Sequence, residues 1–221
     1  LSETQRKFYD DIVDGIVDEV DKVQLKPDIV LGMVLRLRQA TACPSILTSS
    51  PIPSAKIDRA CDLCDQLISE GNKVVIFSTF KQTVDVLAER LSHYNPVLGT
   101  GDTPDNIISD NVDMFQNDDI HNIFLGTWQK CGTGITLNRA NYMIFIDTPW
   151  TDGAFQQASD RIHRIGSKNP VFIYNLVCND TIDEKVLEIV QDKAALSDFI
   201  VDNEITPKSL ASLQKFIEEL K

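Results

Sequence analysis

From Ser54 onward the chain alternates between two hydrophobic patterns, and that alternation constrains its fold more than any other feature. Short unbroken apolar runs, rich in β-branched and aromatic residues, occur at KVVIFS (73–78), HNIFLGT (121–127), YMIFID (142–147) and PVFIYNLV (170–177), with a shorter one inside NPVLGTG (95–101). Such runs predict strands. Between them lie stretches with helical periodicity. SAKIDRACDLCDQLISEG (54–71) closes on Gly71, and KQTVDVLAERLSHY (81–94) is amphipathic. A third helix is expected to open at Thr103-Pro104, a cap before a first-turn proline, and to run through Phe115. TDGAFQQASDRIHRIG (151–166) gives a fourth, ending at Gly166. Strands separated by helices imply a parallel sheet, and continuous rather than alternating apolar runs imply burial on both faces. The expected class is therefore α/β, with helices on both faces of a five-stranded sheet.

Upstream of this pattern the composition differs. Phe8, Ile12, Ile16 and Val20 step by four along a charged helix, and Pro27 opens a second, apolar helix with Arg36 and Arg38 near its end. CPSILTSSPIP (43–53) reads as a loop and marks the boundary. The expected organisation is a helical appendage over 1–50, an α/β domain over 51–200 and a last amphipathic helix within 201–221, starting at Thr206-Pro207. The formal net charge of −12 disfavours a wholesale basic nucleic-acid binder while leaving room for a local basic rim. Five cysteines, an odd number, argue for a reducing compartment rather than a disulfide framework. No stretch approaches the roughly 18 apolar residues of a membrane span, so the chain is expected to be soluble.

In open α/β sheets ligands bind beyond the carboxyl ends of the strands. There the sequence places Thr79-Phe80-Lys81, then Thr127-Trp128-Gln129-Lys130-Cys131-Gly132-Thr133-Gly134, then Thr148-Pro149-Trp150. The Gly132-Thr133-Gly134 turn lets backbone approach a ligand closely, or is a plain strand-to-helix turn. The phosphate-cradling pattern G-x-x-x-x-G-K-[ST] is absent, and no strand ends in an acidic pair suited to Mg2+. Gln157, Arg161 and Arg164 fall at i, i+4 and i+7, one stripe of a helix. Two guanidinium groups there suit a polyanion and can stabilise charge in phosphoryl transfer, or form a solvated face with pairs such as Asp160–Arg164. Cys61-x-x-Cys64 lies inside a helical pattern with no second ligand pair, so packing is expected and no metal site. His93, His121 and His163 read as ordinary surface or packing residues.

At this point a resemblance emerges. KVVIFSTF (73–80), LGTWQKCGTGITL (125–137), YMIFIDTPW (142–150) and QQASDRIHRIGSKNPVFIYNLV (156–177) resemble the second RecA-like lobe of Swi/Snf-type ATPases, helicase-like DNA translocases of superfamily 2. LRLRQATACPSIL (35–47) with Lys56 resembles the family's lead-in, and DTIDEKVLEIV (180–190) its post-motif helix. The resemblance implies a RecA-like (P-loop NTPase-type) sheet. It implies that Arg161 and Arg164 reach the γ-phosphate of ATP held with Mg2+ mainly by a first lobe. Gln157, Gly132, Thr133 and Gly134 line the ATP cleft in this reading. Ser78 and Thr127 offer hydroxyls to the backbone of double-stranded DNA, with Thr79, Lys81 and Trp150 beside them. Ser167, Trp128 and Lys130 depart from the usual pattern and lean toward a bacterial or phage-like branch. With no first lobe in these residues, the chain is expected to be a separated half of a motor, inactive alone. The expected location is the cytoplasm, nucleoid-associated or in a phage-infected cell, or the nucleus for a eukaryotic source. The alternative is a non-catalytic protein-interaction module that keeps the lobe's shape.

Overall fold

The computed structural model describes residues 1–20, 26–132, 134–150, 170–191 and 207–220. The chain divides into two compact units. One comprises Leu1–Lys56, Trp150–Asp152 and Val177–Lys221; the other comprises Ile57–Pro149 and Gly153–Leu176.

The first unit is helical. Helix α1 (Glu3–Val20) packs with α2 (Pro27–Ala42) and α8 (Pro207–Glu219), and α7 (Ile182–Gln191) packs with α2 and α8. Tyr9 and Ile16 of α1, Val34 and Leu37 of α2, Val186 of α7 and Ile217 of α8 share one core. Each such side chain contributes about 1.5–3 kcal/mol on full burial, so packing rather than helix propensity holds α1 in place. The α1 stripe differs from expectation. Gln5 and Tyr9 are buried, whereas Phe8 and Ile12 are only half-buried. The cause is polar. Gln5 donates through Nε2 to the carbonyls of Ala40 (2.9 Å) and Thr41 (3.3 Å) at the end of α2. Its Oε1 accepts the N–H of Ala55 at 2.9 Å. One buried amide thus answers the open terminus of one helix and the first turn of the next.

A second polar cluster lies nearby. Lys56 Nζ sits 2.6 Å from Asp183 Oδ2, with both side chains buried. Asp183 also accepts from Thr41 Oγ1 at 2.9 Å and from the Cys178 N–H at 3.0 Å. Tyr9 Oη accepts the Ile182 N–H at 2.9 Å, supplying a partner at the start of α7. Burial raises the Tyr9 phenol well above its ordinary pKa.

The second unit is the expected α/β fold. Strands β1 (Val74–Ser78), β2 (Val97–Gly99), β3 (Ile123–Thr127), β4 (Tyr142–Phe145) and β5 (Phe172–Asn175) form one parallel sheet in the order β2-β3-β1-β4-β5. Helix α3 (Ala55–Ser69) precedes β1; α4 (Lys81–Arg90), α5 (Asp105–Asn117) and the short α6 (Trp128–Cys131) follow β1, β2 and β3. Every residue of β1 and β3 is buried, as two covered faces demand. On one face Phe77, Phe124 and Phe115 meet edge to face, with ring centroids 6.5 Å and 5.9 Å apart for successive pairs. Helix α4 packs against β1 and β3.

Two local expectations change. β5 is an edge strand, and Phe172 and Tyr174 are exposed rather than buried. Their rings stack with Tyr142 of β4, which partly shields them. Thr103 does not cap α5, which starts after Pro104; its Oγ1 instead accepts the Thr100 N–H at 3.1 Å within the turn. At the other end of α5, buried Lys73 donates to the carbonyls of Phe115 (2.6 Å), Asp118 and His121 (3.0 Å). Burial pulls its pKa below the ordinary lysine value.

Candidate functional site

The order of the strands fixes where a site can form. β1 lies at the centre, the chain runs outward to β2, and it then crosses over to β4. Ligands of open α/β sheets bind outside the carboxyl ends at such a reversal. The register sets Ser78, the last residue of β1, directly opposite Thr127, the last of β3. Asp147 lies just beyond β4, the neighbour of β1 on its other side.

Asp147 is the hub of this rim. It is 1% exposed. Its Oδ2 accepts from Ser78 Oγ at 2.5 Å, and both its oxygens lie 3.1 Å from the Thr79 N–H. Ser78 Oγ in turn accepts the Phe80 N–H at 3.1 Å. A buried carboxylate needs such donors, because an ion removed from water without them costs several kcal/mol. The carboxylate therefore ties the end of β1 and the entry to α4 to the end of β4. Thr79 passes the constraint on, since its Oγ1 accepts from Trp128 Nε1 at 3.3 Å. Next along the sheet, Asn175 Nδ2 of β5 donates to Thr148 Oγ1 at 2.9 Å.

The rim brings together four of the candidate residues: Ser78, Thr79, Lys81 and Thr127. Ser78 is buried and its hydroxyl is engaged with Asp147, so it positions the rim from within. Thr127 is 7% exposed at the end of β3. Lys81 opens α4 with its side chain in solvent, 2.8 Å from Asp85 and 3.3 Å from Asp102. Hydrogen bonds to those carboxylates raise its pKa. Lys130 on α6 is similarly paired with Asp105 at 2.7 Å. Exposed pairs of this kind contribute about 0–1 kcal/mol, so neither lysine is locked to its carboxylate.

The glycine turn divides into separate roles. The Gly132 N–H donates to the Trp128 carbonyl at 2.5 Å, closing α6. A side chain at Gly132 would bring a Cβ within 2.5 Å of that oxygen. Gly134 has φ +83, the left-handed region that glycine enters without strain. It borders a cleft of about 630 Å3 lined also by Ile108, Val112, Lys130 and Ile135. Cys131, at the end of α6, is buried, and burial pushes its thiol up to about 12. Thr133, Gln157, Arg161 and Arg164 lie outside the described residues. Trp150 belongs to the helical unit, where it packs against the core and lies under the guanidinium of Arg38, 4.5 Å from the ring centroid.

Sequence reasoning did not single out Asp147 as a hub or Arg38 as buried. The signal for Asp147 was an acid closing an apolar strand run, YMIFID. No group of three or more His, Cys, Asp or Glu among the described residues is placed to hold a metal. Among the described residues the rim is a row of hydroxyl, ammonium and indole groups.

Residues 55–166 match the family described as "Helicase conserved C-terminal domain". The human chromatin-remodeling ATPase INO80 is 32% identical over 168 residues, covering 72% of this chain and 11% of that protein. The chain spans about a tenth to a fifth of the length of the curated relatives it matches. Among solved structures, the C-terminal part of the Fun30 ATPase domain aligns with TM-score 0.77 at 22% identity, covering 99% of this chain and 95% of that one. The Sulfolobus solfataricus SWI2/SNF2 ATPase core in complex with double-stranded DNA aligns with TM-score 0.75 at 25% identity, covering 96% of this chain and 48% of that one.

Proposed function

Because the chain belongs to the helicase conserved C-terminal domain family, we propose that it is the second RecA-like lobe of an ATP-dependent translocase on double-stranded DNA. The observation that carries this is the rim itself. Thr79, Lys81 and Thr127 stand at or just beyond the carboxyl ends of adjacent parallel strands, the end of β1 being fastened by a buried carboxylate, in a chain similar to an ATPase core solved on a DNA duplex.

A first lobe carrying the phosphate loop and acidic pair absent from these residues would hold ATP with Mg2+, and the γ-phosphoryl group would pass to water with ADP as the leaving group. This chain's residues complete the cleft. Arg161 and Arg164 stabilise charge developing on the γ-phosphate, an effect on the order of 10³–10⁵ in rate. Gln157 and the Gly132-Thr133-Gly134 turn line the same cleft. On the DNA side, Lys81 and Lys130 exchange their carboxylates for backbone phosphates, and the Thr79 and Thr127 hydroxyls donate to phosphate oxygens. Closure of the lobes around ATP and opening after hydrolysis move this rim along the duplex. The grip is independent of base sequence and weakens with salt. One rim of loops suffices for it, which reconciles DNA binding with a net charge of −12. The protein acts in the compartment that holds DNA, the cytoplasm of a prokaryote or the nucleus of a eukaryote.

The test compares this chain alone with the full-length protein. The isolated chain should show no ATP turnover and only weak, salt-sensitive duplex binding. The full-length protein should hydrolyse ATP with DNA stimulation. Turnover by the isolated chain, unchanged in Arg161→Ala, would contradict the reading.

A further inference from the structure

Helices α1 and α7 both pack on α8, yet they leave a groove of about 470 Å3 between their own flanks. Every residue that lines it belongs to the helical unit. Near the amino ends of the two helices the groove is clasped. Arg6 of α1 donates through Nη1 to the Asp180 carbonyl at 2.9 Å and through Nη2 to the Asn179 carbonyl at 2.8 Å. The floor is apolar. Val13 of α1, Phe216 of α8 and Leu220 just after it are half-buried, packed against the core rather than sealed within it. A helix in contact with water ordinarily turns polar residues outward, and an apolar floor framed by polar walls marks an interaction surface.

The walls select what covers that floor. Five carboxylates line the groove against two cations, Arg6 and Lys185. Both cations are already engaged, Arg6 in the clasp and Lys185 with Glu188 at 2.9 Å. Asp10 on α1 and Glu188 on α7 stand on opposite walls, their side chains 57% and 69% exposed. Among the described residues Glu184 has only the Asp180 N–H as partner, at 3.0 Å. The rim is therefore net negative. It repels a nucleic acid, and it repels a second copy of a chain whose formal net charge is −12. The lined stretch of α1, from Arg6 to Val13, covers about 10 Å of helix axis, which is room for two anchors one turn apart. We propose that the groove between α1 and α7 is a docking site for a short amphipathic helix of a partner protein, with apolar anchors at i and i+4 and Lys or Arg on its flanks. The anchors cover Val13, Phe216 and Leu220, while the flanking cations meet Asp10 and Glu188 across the rim. Glu188 is held only by an exposed pair within α7, so the partner's cation competes with Lys185 rather than with a buried contact. Neither ATP nor DNA enters this contact.

The experiment titrates the full-length protein into a fluorescein-labelled peptide of about 14 residues, long enough to hold a helix on binding, and reads anisotropy. The peptide carries Trp and Leu at i and i+4, Lys and Arg beside them and Ala elsewhere. One control peptide replaces the Trp and Leu by Ala; the other replaces every Lys and Arg by Glu. The basic amphipathic peptide should bind, and each control should bind at least about tenfold more weakly. Asp10→Lys/Glu188→Lys reverses one carboxylate on each wall and should weaken binding about tenfold. Leu220→Ala opens the floor and should weaken it about fivefold. Thermal melts identify any variant that fails to fold, and the other variant then carries the test. DNA-stimulated ATP hydrolysis should stay at the wild-type level in both. No binding of the basic peptide, equal binding of the peptide without anchors, or unchanged affinity in a folded variant overturns the inference. Sedimentation velocity covers the remaining occupant: a dimer of the full-length protein that Leu220→Ala dissolves assigns the groove to a second copy and overturns it too.

Discussion

Ser78→Ala and Asp147→Ala, made singly and together, probe the fastening of the rim. Both residues are 1% exposed, and their oxygens lie 2.5 Å apart. A hydrogen bond to a charged group contributes about 1.5–3 kcal/mol. Ser78→Ala removes that bond and also leaves the Phe80 N–H without its Ser78 acceptor, so it should cost about 2–3 kcal/mol. Asp147→Ala leaves the buried Ser78 hydroxyl and the Thr79 N–H without the carboxylate. One stranded buried donor costs about 1–3 kcal/mol, and relief of carboxylate burial offsets part of this, so about 2–4 kcal/mol is expected for the whole change. Once Asp147 is gone, Ser78→Ala removes a hydroxyl that has already lost its main partner. The double variant should therefore fall short of the sum by about 1.5–3 kcal/mol. Urea unfolding followed by circular dichroism, with unchanged slopes, gives the four free energies. Additivity within about 0.5 kcal/mol would refute the claim that the carboxylate and hydroxyl act as one lock.

Two further perturbations bear on the fold around the site. Asp183→Ala leaves Lys56 buried without its carboxylate 2.6 Å away, which should cost about 3–5 kcal/mol; a loss below about 1 kcal/mol in the same urea assay contradicts a buried pair. Asp118 titrates at about 2 instead of its ordinary 3.8, first because the His121 N–H donates to its carboxylate and then through the His121 ring and the Ile120 N–H. The folded pKa is the lower one, so the unfolded chain binds more protons in that window. The stabilisation is complete above about pH 4 and lost as pH falls toward about 2. Thermal melts across this range should show a shallower acid decline in Asp118→Asn than in wild type, and identical slopes count against the assignment.

The sheet was legible because its signal is local. VVIFS and IFLGT are apolar at nearly every position and bounded by polar residues, and both are buried throughout. The helices between them followed from spacing. What sequence could not supply was the fate of residues whose burial depends on partners far along the chain. Gln5 is polar by type, and the carbonyls of Ala40 and Thr41 and the N–H of Ala55 explain why it is inside. Arg38 is polar by type and buried by context. PVFIYNLV reads the same whether its strand is central or at the edge, since an apolar run does not record its neighbours; β5 at the edge leaves Phe172 and Tyr174 in solvent. Thr79, Lys81 and Thr127 stand where strand ends were expected, because the ends of β1 and β3 follow from the apolar runs themselves. The tie from Asp147 back to Ser78 needed the register of β1 against β4, which no local pattern encodes. Ser78 thus passes from a hydroxyl expected to face DNA to one that braces the rim.

The account rests on this lobe completing an ATP site that another lobe begins. The most direct measurement is the turnover number for ATP of the full-length protein at saturating ATP and duplex DNA, wild type against Arg164→Ala. The account predicts DNA-stimulated hydrolysis that falls by about 10³-fold or more, the scale of a lost arginine finger, with duplex affinity essentially unchanged. Turnover in Arg164→Ala equal to wild type, with stimulation by DNA preserved, would contradict it.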